Sequence, residues 1–296
     1  MVDDKITKER INLLIEDIKK KKELSGISKE FVVKEVDDYL RKNPESLNKL
    51  IISKKDSELK RSSLYKQMIK DIRKVLRKVY GAYQLNAEGR DGLLKELSDC
   101  LKKQGPQGQE YISVHKKILL TNLSTKERLE IYDSLYSDIF SITGNPESIL
   151  DLGSGINPVS YPFLGIDKIK WTAYELSEND CKFLDEYFKI ITKHTGLKGK
   201  AELVDLSFVK EFPKTDVCFL FKVLEALDMK GHKLSEELLK RIKSKWIVVS
   251  FSSRTISGKK MMFSRRGWIE MMLNRNGYSF KEIEKENEVF YVIKNK

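Results

Sequence analysis

The chain has little of what covalent or metal-based architectures need. Its three cysteines, Cys100, Cys181 and Cys218, are odd in number, far apart and without C-x-x-C spacing. A disulfide framework and a cysteine-based zinc site are therefore not expected, and a reducing cytoplasm is. The three histidines, His115, His194 and His232, are equally scattered, so no metal is expected. No stretch approaches the roughly 18 uncharged apolar residues of a membrane-spanning helix. The opening residues, Met1-Val2-Asp3-Asp4-Lys5, carry no apolar signal segment, so neither secretion nor a membrane partner is expected. Internal repeats and low-complexity tracts are also lacking.

What the chain has is charge. Of 296 residues 34% are charged and 40% hydrophobic, with 56 Lys and Arg against 44 Asp and Glu, a net +12. That balance suits a soluble, folded protein with an anionic partner such as nucleic acid, and the length allows two domains of about 100–200 residues each. The excess is uneven. Residues 51–100 hold 12 basic and 7 acidic side chains, residues 251–296 hold 10 and 5, and residues 101–200 hold 13 of each.

Up to about residue 120 the apolar spacing is helical. Ile11, Leu14, Ile15 and Ile18 form one stripe, Phe31, Val32, Val36, Tyr39 and Leu40 another, and Asn43-Pro44 breaks the chain. A longer helix is predicted over 62–83, with Leu64, Met68, Ile72, Val75, Leu76 and Val79 on one face, stopping at Gly81. Lys66, Lys70, Arg73, Lys74, Arg77 and Lys78 lie on its other faces, within a run from Lys54 to Lys78 of ten basic and three acidic residues. On pattern alone, this run is as well explained by a solvated face as by a nucleic-acid surface. After the loop Gly105-Pro106-Gln107-Gly108, Ser124 and Glu127 have capping-box spacing and should open a helix carrying Leu129, Tyr132, Leu135, Tyr136, Ile139 and Phe140.

After residue 146 short apolar runs alternate with helical stretches, as in an α/β sheet. The predicted strands are Ser148–Leu152, Trp171–Leu176, Ala201–Val204, Val217–Phe221, Trp246–Phe251, Tyr278–Glu284 and Val289–Lys294. The last two are close enough for a tight antiparallel hairpin with Asn287 in its turn. Five parallel strands closed by such a hairpin resemble the seven-stranded, Rossmann-like sheet of class I methyltransferases.

The most informative motif is Asp151-Leu152-Gly153-Ser154-Gly155-Ile156-Asn157-Pro158, an apolar strand running into a glycine turn. Glycine there lets backbone approach a ligand at the carboxyl end of the first strand. No third glycine opens a helix, so a turn holding the methionine part of S-adenosylmethionine fits better than a pyrophosphate site. Glu175 ends the second strand about 20 residues on, placed to accept ribose hydroxyls, and Asp205 follows the third strand, placed for an adenine amino group.

With these residues the chain resembles the aminoglycoside-resistance (Arm/Rmt-like) family of 16S rRNA guanine-N7 methyltransferases, whose target is the decoding-site guanine at rRNA nucleotide 1405. The similarity is densest at Ser124 to Arg128 (STKER), Leu150 to Pro158 (LDLGSGINP), Phe221-Lys222 with Leu224, Val249 to Arg254 (VSFSSR) and Tyr291 to Lys294 (YVIK). The resemblance implies that Arg128 binds the cofactor carboxylate, that Gly153 and Gly155 line the methionine, that Glu175 takes the ribose, and that Asp205 and Leu206 take the adenine, with Asp151 also in the cofactor-binding set. It places Lys222, Asp228, Arg254 and Glu288 on the target side, in the catalytic set. The sequence departs from the family at Asn122 (usually His), Gly153-Ser154 (Ala-Cys), Glu175 (Asp) and Glu225 (Pro), and Glu225 bears most on the target.

The implied organisation is a helical rRNA-binding domain over 1–120 and an S-adenosylmethionine-dependent methyltransferase domain over 121–296. Guanine N7 carries an in-plane lone pair, so the chemistry is proximity and orientation without a general base, and a carboxylate at Asp228 or Glu288 would stabilise the cationic methylated ring. The guanine must be turned out of its helix, with Trp268, Phe263 and Tyr161 as candidate stacking partners, each equally suited to a core. Arg254 to Arg266 holds Arg254, Lys259, Lys260, Arg265 and Arg266 without an acid, which suits a phosphate-gripping loop. The expected partner is 16S rRNA in the 30S subunit, and the expected state is a monomer. The alternatives are another rRNA or tRNA site, or a ribosome-binding protein that no longer methylates.

Overall fold

The computed structural model describes residues 2–227, 232–254 and 266–296. Asp228, Phe263, Lys259, Lys260 and Arg265, all among the expected site residues, lie outside them. The chain forms two compact units, residues 1–84 with 177–179, and residues 85–176 with 180–296.

The first unit is helical. It contains α1 (Val2–Lys19), α2 (Lys29–Lys42), α3 (Pro44–Ile52), α4 (Asp56–Arg61) and α5 (Ser63–Val79). Ser28 caps α2 by accepting from the Phe31 N–H, and Ser62 caps α5 by accepting from the Tyr65 N–H. Pro44, with no N–H to offer, sits in the first turn of α3, which is why Asn43-Pro44 ends one helix and begins the next. The core takes Leu14, Ile18, Val32, Val36, Met68, Ile72 and Leu76 from the apolar stripes read from the sequence, together with Leu50 of α3, whereas Leu64, expected on the same face as Met68, is exposed.

The second unit holds a sheet of seven strands among the described residues, β1 (Ser148–Leu152), β2 (Lys168–Glu175), β3 (Gly196–Leu203), β4 (Val217–Phe221), β5 (Trp246–Ser252), β6 (Ser279–Glu284) and β7 (Glu288–Lys294). Their order is β3-β2-β1-β4-β5-β7-β6. The first five strands are parallel, and β7 runs antiparallel to both β5 and β6. Helices cover both faces, which is why β4 and β5 read as continuous apolar runs rather than alternating ones. One face packs Ile149, Trp171, Phe219, Val248 and Phe290 under α6 (Arg90–Gln104), α7 (Gln109–Leu119), α9 (Tyr132–Thr143) and α10 (Glu178–Ile191). The other packs Leu150, Leu220, Val249 and Phe251 under α12 (Lys233–Arg241) and α13 (Gly267–Arg275). The remaining helices are α8 (Leu123–Arg128) and α11 (Leu224–Leu227).

Three expectations shift. Residues 85–120 pack with the sheet unit, because Leu97 and Leu101 of α6 and Val114 and Ile118 of α7 share one core with it. The helix expected from Ser124 through Phe140 is two helices, α8 and α9, and Ser124 makes no capping box. Asn122 is the cap, its Oδ1 accepting from the N–H groups of Ser124 (3.0 Å) and Thr125 (3.4 Å). Finally, β3 begins at Gly196, five residues before the predicted Ala201. Its Gly199 faces the Phe188 ring, which a Cβ would meet at 2.0 Å, so two glycines hide a strand that close packing requires.

Candidate active site

The carboxyl ends of β3, β2, β1, β4 and β5 lie side by side, and the order reverses between β1 and β4, the place where open α/β sheets bind ligands. The glycine turn begins there. Gly153 and Gly155 adopt φ of +64° and +50°, left-handed values open to glycine at little cost. The N–H groups of Gly153 and Ser154 donate to the Tyr174 carbonyl at 2.8 and 3.2 Å, tying the turn to β2. Beside Gly155 the space is open, with only Asn122 Nδ2, at 3.6 Å, near an added Cβ.

Glu175 completes this turn. Its Oε2 accepts from the Gly155 N–H at 2.6 Å and its Oε1 from the Leu176 N–H at 2.8 Å. The extra methylene relative to aspartate folds the carboxylate back onto the glycine backbone. At the end of β3, Asp205 Oδ1 accepts from the Ser207 N–H (2.9 Å) and hydroxyl (2.6 Å), an Asx turn that fixes the carboxylate, and Leu206 next to it is buried.

Asp151 is buried beneath the turn and accepts from Asn157 Nδ2 at 2.9 Å, and Asn157 Oδ1 accepts from the Tyr132 hydroxyl at 2.9 Å. Burial pushes the Asp151 carboxyl from 3.8 up to about 6, against the pull of Asn157 and Arg128. A folded-state pKa above the unfolded one means that ionisation opposes folding. The stability linked to Asp151 is full below pH 4 and falls as pH rises through about 6, by on the order of 3 kcal/mol. Asp151→Asn, which keeps the shape and cannot ionise, is expected to flatten that loss. Melting curves at pH 4.5 and 7.5 check this, and an unchanged pH difference in the variant refutes the assignment.

A second cluster sits at the ends of β4 and β5. Arg128, 2% exposed, donates through Nε to Glu288 at 2.9 and 3.1 Å and through Nη2 to Ser124 Oγ at 2.9 Å. Its guanidinium stacks 4.8 Å over the Phe221 ring. Glu288, 1% exposed, also accepts from the Ser250 hydroxyl and faces Lys222 Nζ at 3.4 Å. Burial alone would raise the Glu288 carboxyl, but the charges of Arg128 and Lys222 hold it below the usual carboxylate range. Lys222 Nζ also pairs with Glu127. Lys222 is the one non-glycine residue with φ in the left-handed region (+61°) among the described residues. Its N–H donates to the Ser250 carbonyl (3.2 Å) and hydroxyl (3.0 Å), so β5 holds a strained backbone in place.

The structure thus brings Arg128, Lys222 and Glu288 together and joins Asp151, Gly153, Gly155 and Glu175 around one turn. Arg254 stands apart from the Lys222 cluster, donating instead to Asn287 and Glu286 in the β6–β7 turn. Arg266 donates to Glu225 and to the Ser252 carbonyl. Tyr161 is core, and Trp268 stacks on His232 at 3.8 Å. Sequence alone does not single out Glu127 or Ser250, Glu127 because its spacing to Ser124 reads as a cap. In the helical unit, Lys66, Lys70, Arg73 and Arg77 line a groove of about 350 Å3 with Ile69. Arg73 is committed to the carbonyls of Asp17 and Ile18 at the end of α1, and Arg77 to Glu23. Lys66, Lys70, Lys74 and Lys78 are exposed.

A sheet of this order, with a glycine turn ending its first strand and acids at the next two strand ends, defines a class I methyltransferase. More particularly, the chain belongs to the ribosomal RNA methyltransferase (FmrO) family, whose model matches residues 39–292. It is 26% identical over 241 residues to the 16S rRNA (guanine(1405)-N(7))-methyltransferase of Proteus mirabilis, covering 77% of this chain and 84% of that one. The enzyme of the same name from Micromonospora rosea is 25% identical, over 76% and 81% of the two chains. Among solved structures, the 16S rRNA methyltransferase RmtF in complex with S-adenosyl-L-homocysteine superposes with a TM-score of 0.73 at 19% identity, over 97% of this chain and 99% of that one. The 16S rRNA methylase RmtB does so with 0.68 at 20%, over 97% and 98%.

Proposed function

We propose that the chain methylates N7 of the decoding-site guanine of 16S rRNA, at rRNA nucleotide 1405, within the 30S subunit. It acts as a cytoplasmic monomer that uses S-adenosylmethionine, and aminoglycoside resistance is the consequence. The observation that carries this reading is the place of the STKER segment. Its Arg128 and Glu127 are bonded to Glu288 and Lys222 at the ends of β7 and β4, so the segment most specific to the resembled family is built into the site.

S-adenosylmethionine supplies an electrophilic methyl group and its leaving sulfide. The residues present fit that molecule. The open backbone at Gly155 admits a close ligand, Arg128 offers a cation for a carboxylate, and Glu175 and Asp205 offer oriented oxygens at the next two strand ends. Leu206 offers an apolar face. Since N7 brings its own lone pair, the protein's work is to orient the guanine and to exclude competing geometries. Lys222, held rigid by Ser250, and Arg254 are the cations of the target-side set that the resemblance implies, and Asp228 is one of its carboxylates. Glu288 contributes through Arg128 and Lys222, which its buried carboxylate holds in place.

The test is methyl transfer from labelled S-adenosylmethionine to purified 30S subunits, naked 16S rRNA and tRNA, followed by mapping of the modified base. Transfer to 30S subunits at N7 of guanine 1405 is expected. Modification only of tRNA, or of another rRNA nucleotide, would overturn the target, and no transfer to any RNA despite cofactor binding would overturn the activity.

A further inference from the structure

Glu225 stands where the resembled family carries proline, and the structure gives it a partner that the sequence reading assigned to RNA. Arg266 Nε and Nη2 donate to Glu225 Oε1 at 3.2 and 2.9 Å. The same Nη2 donates to the Ser252 carbonyl at 2.7 Å, and the guanidinium lies 5.8 Å over the Phe251 ring. The Arg266 backbone N–H donates to the Tyr291 hydroxyl at 3.0 Å, and that hydroxyl donates to Glu270 at 3.0 Å. With its side chain only 15% exposed, Arg266 is spent on protein groups and is poorly placed to grip a phosphate.

The connections run between the elements that carry the target side. Glu225 lies on α11, three residues beyond the strained Lys222, and Ser252 is the last residue of β5. Arg266 is the residue before α13. One guanidinium therefore joins the junctions that follow β4 and β5. Arginine suits this task, since its planar fork serves two acceptors with little loss of freedom per bond. A proline at 225 could not enter such a pair.

We propose that Glu225 and Arg266 form a positioning clasp that fixes the post-β4 and post-β5 junctions relative to each other, and so sets how the RNA target is presented to the methyl donor. The inference rests on the methyl-transfer reading above and deepens it. Glu225 and Arg266 are positioning residues, acting through Lys222 and the backbone of Ser252. The bonds described for the clasp run to Ser252 and Phe251 at the end of β5 and to Tyr291 of β7, so its effect is expected on the RNA side.

The experiment compares Glu225→Gln, Glu225→Arg, Arg266→Lys, Arg266→Glu and the reversed pair Glu225→Arg/Arg266→Glu. Each is measured for kcat and KM on RNA, for S-adenosylmethionine affinity by calorimetry, and for melting temperature. The assay uses whichever RNA the unaltered chain methylates, so a wrong substrate fails the preceding reading and not this one. Glu225→Arg and Arg266→Glu are each expected to lower kcat/KM for RNA by about tenfold or more, with kcat falling and cofactor affinity kept within about twofold. Arg266→Lys, which keeps the charge and loses the fork, should fall between. The reversed pair should stand at least about threefold above Arg266→Glu, a recovery limited by the lost bond to Ser252. The proposal is overturned by no effect of Glu225→Arg, by no recovery in the reversed pair, or by an Arg266→Glu defect confined to KM and absent from Arg266→Lys at low salt, the behaviour of a phosphate contact. A cofactor affinity that falls in step with kcat/KM would also overturn it, by showing general loss of structure.

Discussion

Arg128→Ala is expected to melt the sheet unit roughly 10 °C lower than the unaltered chain and to lose S-adenosylmethionine binding. The reason lies in what the substitution leaves behind. Glu288 is 1% exposed and takes its principal countercharge from Arg128 Nε, with Lys222 Nζ farther away at 3.4 Å. Removing one partner of a buried pair strands the other, at about 3–5 kcal/mol, and for a unit of this size each kcal/mol moves the melting temperature by about 2–4 °C. Replacing both members with apolar side chains, Arg128→Leu with Glu288→Leu, is expected to recover much of that stability, because the uncompensated charge disappears. The double variant should still fail to bind the cofactor, since the guanidinium proposed for its carboxylate is gone. Calorimetry and melting curves together separate the two roles. Equal melting temperatures for the single and double variants would show that the pair is not what holds the site, and retained cofactor affinity in either would remove Arg128 from the proposed binding set.

Much of the architecture was legible because it is written in periodicity. The apolar runs at 148–152, 217–221 and 246–251 are nearly the strands observed, since a central parallel strand buried on both faces has no alternative to being apolar. The start of β3 was illegible for the opposite reason. It is an edge strand whose Gly199 accommodates the Phe188 ring and whose Gly196 lies against the Asp167 carbonyl, so its sequence carries turn signals while its backbone pairs with β2. The border between compact units is illegible in the sequence because α6 and α7 look like any other amphipathic helices, and only their packing reveals which core takes them. That Gly153, Gly155 and Glu175 meet at one turn is legible from their spacing after apolar strands. Side-chain commitments are not. Spacing cannot tell that Glu127 reaches Lys222 across 95 residues, that Arg266 is held by Glu225, or that Arg73 closes the end of α1. Each of these depends on which acceptor tertiary structure leaves within reach of a long flexible cation.

That distinction divides the basic face of α5 into groups that should behave differently, and it gives a prediction about RNA. Arg73 donates to the carbonyls of Ile18 and Asp17, while Lys66, Lys70 and Lys74 are exposed along one row of the helix. If this row contacts rRNA phosphates, Lys66→Glu, Lys70→Glu and Lys74→Glu combined should weaken binding to 30S subunits by on the order of 100-fold near 0.1 M salt. The combination should also reduce the slope of log affinity against log salt by about 2–3, close to one for each lost phosphate contact. Melting temperature and S-adenosylmethionine affinity should stay near their original values, since exposed lysines contribute little to folding. Arg73→Ala should do the reverse. It removes two hydrogen bonds from the end of α1 and so lowers the melting temperature, while the salt slope changes by no more than about one. Filter binding of 30S subunits across 50–300 mM salt measures both. A triple variant with an unchanged slope would mean that α5 is a solvated face after all, and that the energy of rRNA binding comes from elsewhere on the chain.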